Sequence, residues 1–454
     1  GDLLKKIYNP NTEAITNDGF GNAVAIHGNF AIIGEQYGND TTGSNQGQVH
    51  IYDLTKRKIV RTVLNPNTAP NQSSVSGDNF GSSVAISDDY FAVGALSEDT
   101  ESQSQNGAVY VFDLHSGKLL NVFFEIDSLF DGVGNFFGYS IDLDGNYLLV
   151  GAPRADHQST GTGEGAAYLY DVRSGELHYR FEKISTLDID EYTVDAGDSF
   201  GQAVALSGNY AIIGAPTDGG GVEGMVYIFQ AVTTDARPGQ AYHSTYPADW
   251  VHTSPLLLNV IKNPDIALGG SQASTDSFGE YIAADGQYLV VGVPLEDDND
   301  SAISGNDEGK VYVYNLASGE LVWSITHPEL DEKGNVDSGT ARHGDWFGWG
   351  VDICGDYIVA AAPKTDEFSE TAVGEVFMID VNTGKVIRTF RNPGSGANDL
   401  FGANSVAIGE NYIMIGNSSG DVRVRNGTTY TNVGAAYQYA ARDMTYLDKL
   451  TSLV

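Results

Sequence analysis

Cysteine and cationic side chains are what this chain has least of. One cysteine, Cys354, stands among 454 residues, so no disulfide can form within the chain. That excludes a small disulfide-stapled scaffold but not a large β-protein, whose size alone supplies a core. Lys and Arg total 24 against 60 Asp and Glu, a formal charge of −36. Such a field repels nucleic acid and anionic membrane surfaces, and it suits divalent cations or basic partners. It also serves plain solubility. No apolar run approaches the roughly 18 residues of a membrane span, so membrane insertion is not expected. The expected location is extracellular or at a cell surface, with a leader cleaved or trimmed ahead of Gly1.

Glycine, by contrast, is abundant at 55 residues, and hydrophobic residues make up 41%. This is the composition of a globular protein with many tight turns. Seven segments open alike, with Phe-Gly pairs at Phe20, Phe80, Phe137, Phe200, Phe278, Phe347 and Phe401, spaced by about 63 residues. Blades are expected to begin near 18, 78, 135, 198, 276, 345 and 399. Each repeat reads as four strands. A short apolar run follows Phe-Gly, as in Ala203 to Leu206, and a turn such as Ser207-Gly208-Asn209 ends it. The second run, Tyr210 to Gly214, is apolar throughout, as for a strand buried on both faces. The third alternates aromatic and aliphatic residues, as in Val109-Tyr110-Val111-Phe112, and leads into an Asp-x-x-Ser/Thr-Gly turn. The fourth is more polar, like Lys385 to Phe390, and suits an outer edge.

These features predict an all-β fold, a seven-bladed β-propeller of four-stranded antiparallel blades in a single domain. Residues 1–10 copy the fourth-strand pattern and end in Asn9-Pro10, like Asn65-Pro66 and Asn392-Pro393. They are expected to close the last blade. The alternative is that Met444 to Leu450 forms that strand. Residues 441–454 are otherwise a C-terminal tail.

The Phe-Gly openings, with Gly151-Ala152-Pro153 and Gly214-Ala215-Pro216, resemble the FG-GAP repeat family of integrin α-subunit propellers and bacterial surface or secreted proteins. The resemblance implies the propeller frame and leaves function open. Its calcium loops between first and second strands have no counterpart here. Those links are short turns, and Asp142-Leu143-Asp144-Gly145, the nearest approach, is too short to wrap a cation needing six to eight oxygens.

The long links, second-to-third and between blades, share one face, where function is expected. The metal candidates there are Glu98 and Asp99, Glu296, Asp297, Asp298, Asp300 and Asp307, and Asp366; calcium is the cation such loops would take. The ligand-binding candidates are Trp346 and Trp349, with Arg154, His157 and His343. On the opposite face an insertion over 231–255 carries Tyr242, Tyr246 and Trp250 and reads as a contact or oligomerisation element. The reading of function is an extracellular recognition or adhesion module for a protein or glycan, more in keeping with binding than with catalysis. The alternatives are a polysaccharide lyase or a structural subunit of a surface assembly.

Overall fold

The computed structural model describes residues 2–10, 18–38, 46–66, 77–99, 106–125, 134–155, 163–183, 197–218, 224–230, 255–264, 276–296, 307–328, 344–365, 373–394, 399–419, 422–423, 429–430 and 433–442. They form seven four-stranded antiparallel sheets and one small two-stranded pairing, Val422–Arg423 with Thr429–Tyr430. Blade 1 comprises Phe20–His27, Phe30–Glu35, Gln48–Asp53 and Lys58–Leu64 from the axis outward. Blades 2 to 6 repeat that order. In blade 7, Val406–Ile408, Tyr412–Asn417 and Ala435–Ala440 are followed on the outside by Leu3–Tyr8. The N-terminal strand pairs antiparallel with Ala435–Ala440 and takes its free edge, and residues 444–450 lie outside the described residues.

The burial pattern follows the sequence pattern. Second strands are sealed on both faces: Ala31, Ile32 and Ile33 are fully buried. The outer strand Lys58–Leu64 alternates exposed and half-buried residues. Inner hairpins turn on two residues, Gly145-Asn146 between Asp144 and Tyr147 for example, and Gly145 sits at φ +56°.

The repeat phenylalanine lies in the core between blades and is absent from the lining of the channel cavity. Phe80 stacks edge-on against Tyr110 of its own blade at 5.4 Å and packs with Val49 and Ile51 of blade 1. The equivalent pairs include Phe137–Tyr168 and Phe401–Tyr437, at 5.4 and 5.3 Å, and His50 takes the tyrosine's place beside Phe20. The reason is the left-handed residue that precedes Phe, Asn79 in blade 2 at φ +58°, which turns the backbone so that the ring enters the gap between blades.

Blades meet backbone to backbone at this point. Gly107 of blade 2, at φ +83°, lies so close to Phe137 of blade 3 that a Cβ would stand 2.1 Å from the Phe137 carbonyl oxygen. Replacing Gly107 with Ala should cost about 3 kcal/mol, from left-handed strain plus overpacking. The urea midpoint would then fall with an unchanged slope. A midpoint like that of the parent would mean that the blades separate freely there.

Candidate functional site

Polar joints fasten the blades on the long-loop side. The residue that follows each outer strand reaches the residue that heads the next Phe-Gly. Asn65 donates to Asp78 at 3.1 Å and to Glu98 at 3.4 Å. Asn263 donates to Asp276 at 3.3 Å and Glu296 at 2.9 Å. Asn9, from the closing strand, donates to Glu35 at 2.9 Å, and the other Glu35 oxygen takes His50 at 2.6 Å and Gln48 at 2.8 Å. In blade 4 the joint is ionic: Lys183 bonds Asp198 at 2.9 Å and Asp218 at 2.5 Å, and Tyr227 donates to Asp218. Burial would lower the Lys183 ammonium's pKa, but Asp218 and Asp198 outweigh it and hold it above the usual lysine range. Burial, with Glu98 and Asp99 nearby, pushes Asp78 up to about 7.

These joints account for several of the acidic candidates. Glu98 and Glu296 are buried members of the joints of blades 2 and 5. Glu296 also lies 3.6 Å from Lys310. Asp99 acts on Asp78 through its charge. Asp307 accepts the Trp346 N–H through its backbone carbonyl. Among the described residues no group of three His, Cys, Asp or Glu could hold a metal ion. Asp297, Asp298, Asp300, Asp366, His157, His343, Tyr242, Tyr246 and Trp250 lie outside the described residues.

Trp346 and Trp349 come together. Their rings stack at 4.4 Å and 15°, and Trp349 packs on Tyr281 of blade 5 at 5.6 Å. The Lys364 ammonium lies over the Trp346 ring, and burial lowers its pKa while Asp307 opposes the shift. Blade 3 repeats this device with other residues: Phe136, in the position of Trp346, carries the Arg154 guanidinium 4.6 Å above its ring. Phe136 and Trp346 share the left-handed conformation, at φ +58° and +60°. Arg154 and Trp346 were singled out from the sequence, but the repeated cation–ring pair, in which Arg154 is the cation of one copy and Trp346 the ring of the other, was not.

The residues missed altogether are Tyr139, Glu280 and Tyr281. They line the long-loop mouth of the channel, a cavity of about 240 Å³ bounded by the inner strands of all seven blades. Tyr281 donates to Glu280 at 3.2 Å. Burial raises the pKa of Glu280, and it raises both phenols, with Glu280 adding to the effect. The signal was a column: the residue after Phe-Gly runs Asn22, Ser82, Tyr139, Gln202, Glu280, Trp349, Ala403. In blades 1 to 6 it is polar or aromatic, where the adjoining strand is largely small or apolar.

The sequence profile of the FG-GAP repeat matches residues 12–52, 72–112, 131–170, 194–229 and 270–314. The chain carries five FG-GAP repeats. A comparison with curated proteins gives no match. The matches take in the first three strands of each of blades 1 to 5 of this propeller, and blades 6 and 7 share the four-strand order. The carboxylates nearest to a calcium-turn pattern are engaged in holding blades together. Asp142 accepts the Leu206 N–H of the next blade at 2.7 Å, and Asp144 accepts that of Gly208 at 3.0 Å. Asp352 does the same for Ile408 at 2.7 Å. Each caps a backbone donor of the neighbouring blade.

Proposed function

We propose that the long-loop face of this FG-GAP propeller is a recognition surface for a protein or glycan outside the cell, centred on Trp346 and Trp349. The observation that carries this is the stacked tryptophan pair, half-buried and held from below by Tyr281. Rigid aromatic surface gives large contact area at small entropic cost, and it stacks on sugar faces or anchors a partner's side chain. Catalysis by a phenol base is the weaker reading: a base at neutral pH needs a lowered pKa, and Tyr139 and Tyr281 are shifted up.

A glycan array and a surface-protein panel, probed with the parent and with Trp346→Ala/Trp349→Ala, test the placement. Binding should fall tenfold or more in the variant, the usual cost of losing an aromatic anchor. A partner held equally well by the variant would move the site elsewhere. Calcium as an aid to binding rests on the sequence of the 297–306 loop, and EGTA added to the same measurement tests it.

A further inference from the structure

Three blades place the same pair of carboxylates in the joint on the long-loop side. The first heads the Phe-Gly opening: Asp78 in blade 2, Asp198 in blade 4 and Asp276 in blade 5. The second follows the second strand: Glu98, Asp218 and Glu296. All six are buried. Two neighbouring carboxylates out of water need positive charge beside them. At blade 4 it comes from Lys183, whose ammonium stands 2.9 Å from Asp198 and 2.5 Å from Asp218. At blade 5 it comes from Lys310, at the start of the third strand and 3.6 Å from Glu296. At blade 2 the two positions that carry these lysines hold Asn65 and Ala108. The Asn65 amide nitrogen takes the place of the Lys183 ammonium, at the longer distances of 3.1 Å from Asp78 and 3.4 Å from Glu98. Asp99 adds a further negative charge.

We propose that the joint between blades 1 and 2 binds a hard divalent cation, calcium in preference to magnesium, held by Asp78, Glu98 and Asn65. Lys183 is the observation that points to it: two blades on, the same pair of carboxylates closes on a cation from the chain itself. The charge selects the valence. Two carboxylates with Asp99 nearby are balanced better by two positive charges than by one. The donors select the class. All three side chains offer oxygen, which suits calcium or magnesium over zinc or copper. Turning the Asn65 amide over presents its carbonyl oxygen in place of its NH2, so one residue serves as donor to the carboxylates or as ligand to the ion. Two carboxylates and an amide agree with the lack, among the described residues, of any group of three His, Cys, Asp or Glu fit for a metal. The set is small and irregular, completed by water and main-chain oxygens, which calcium accepts more readily than magnesium with its strict octahedron. So few ligands put the dissociation constant at about 0.1–1 mM. The ion would fasten blade 2 to the outer strand of blade 1, apart from the tryptophan platform and from the 297–306 loop.

Thermal unfolding of the full chain at constant ionic strength tests it. Calcium at 10 mM should raise the melting temperature by about 2 °C over EGTA, and magnesium by less than half as much. Asn65→Lys installs the ammonium of blade 4 at this joint, and its calcium shift should fall below half of the parent's. A parent unmoved by calcium would overturn the proposal. So would a shift in Asn65→Lys of half the parent's or more, which would place the ion elsewhere, as in the 297–306 loop. If Asn65→Lys does not fold, Asp78→Asn with Glu98→Gln decides, since it keeps the shapes and removes the charges. Its calcium shift should also fall below half of the parent's, and a larger one would overturn the proposal.

Discussion

Deleting residues 2–10 should lower the melting temperature by about 5 °C or more, the largest effect expected from any short deletion. The strand Leu3–Tyr8 covers the outer edge of Ala435–Ala440 and buries Ile7. Lys6 lies 5.2 Å from the centre of the Tyr437 ring, and Asn9 reaches across to Glu35 in blade 1. Its loss would strip apolar cover from blade 7, leave a row of backbone groups unpaired, and take one donor from a buried carboxylate. Together these come to about 5 kcal/mol or more. At about 2.1 cal/mol/K per residue, a chain of this size unfolds with an entropy near 1 kcal/mol/K, which converts that loss into about 5 °C. A synthetic peptide of residues 1–10, added in trans, should restore most of the loss. An unchanged melting curve would show that the ring is closed by something other than this strand.

Replacing Lys183 with Met should cost about 3–5 kcal/mol, the usual penalty for leaving buried charge without its partner. Lys183 bridges Asp198 and Asp218, both almost wholly buried. Met keeps the length of the stem and removes the charge, so packing loss stays small. The variant would have to neutralise one carboxylate, and Tyr227 can satisfy only one oxygen of Asp218. Urea denaturation at neutral pH measures the cost. A triple variant, Lys183→Met with Asp198→Asn and Asp218→Asn, should recover much of it. If the single variant is as stable as the parent, the triad contributes little and the joint is held by its surroundings.

The frame was legible because its signals are local and repeated. Turn glycines, apolar second strands and the Asn9-Pro10 match each needed a few residues, and seven copies made them unmistakable. The joints were less legible. Asn9, Asn65 and Asn392 mark strand ends in the sequence, but the carboxylates they serve lie at least seven residues away along the chain, so no spacing reveals the bond. The burial of Glu98 and Glu296 was not legible either, because a buried carboxylate is written with the same letter as an exposed one. The channel mouth was missed for a related reason. Tyr139, Glu280 and Tyr281 come from blades 3 and 5, and only closure of the ring brings them to one cavity.

The joints also act as addresses. Glu125 reverses the usual polarity by receiving the Asn135 amide, where other blades offer an Asn to an Asp. A blade headed by Asp in place of blade 3 would set two carboxylates against each other. Blade 3 in place of blade 4 would offer Lys183 an amide where it now has the Asp198 carboxylate. The seven units are therefore alike in shape but not interchangeable in order. A shuffled ring would carry its errors as buried charge, and the penalty would fall at the seam where the wrong neighbours meet.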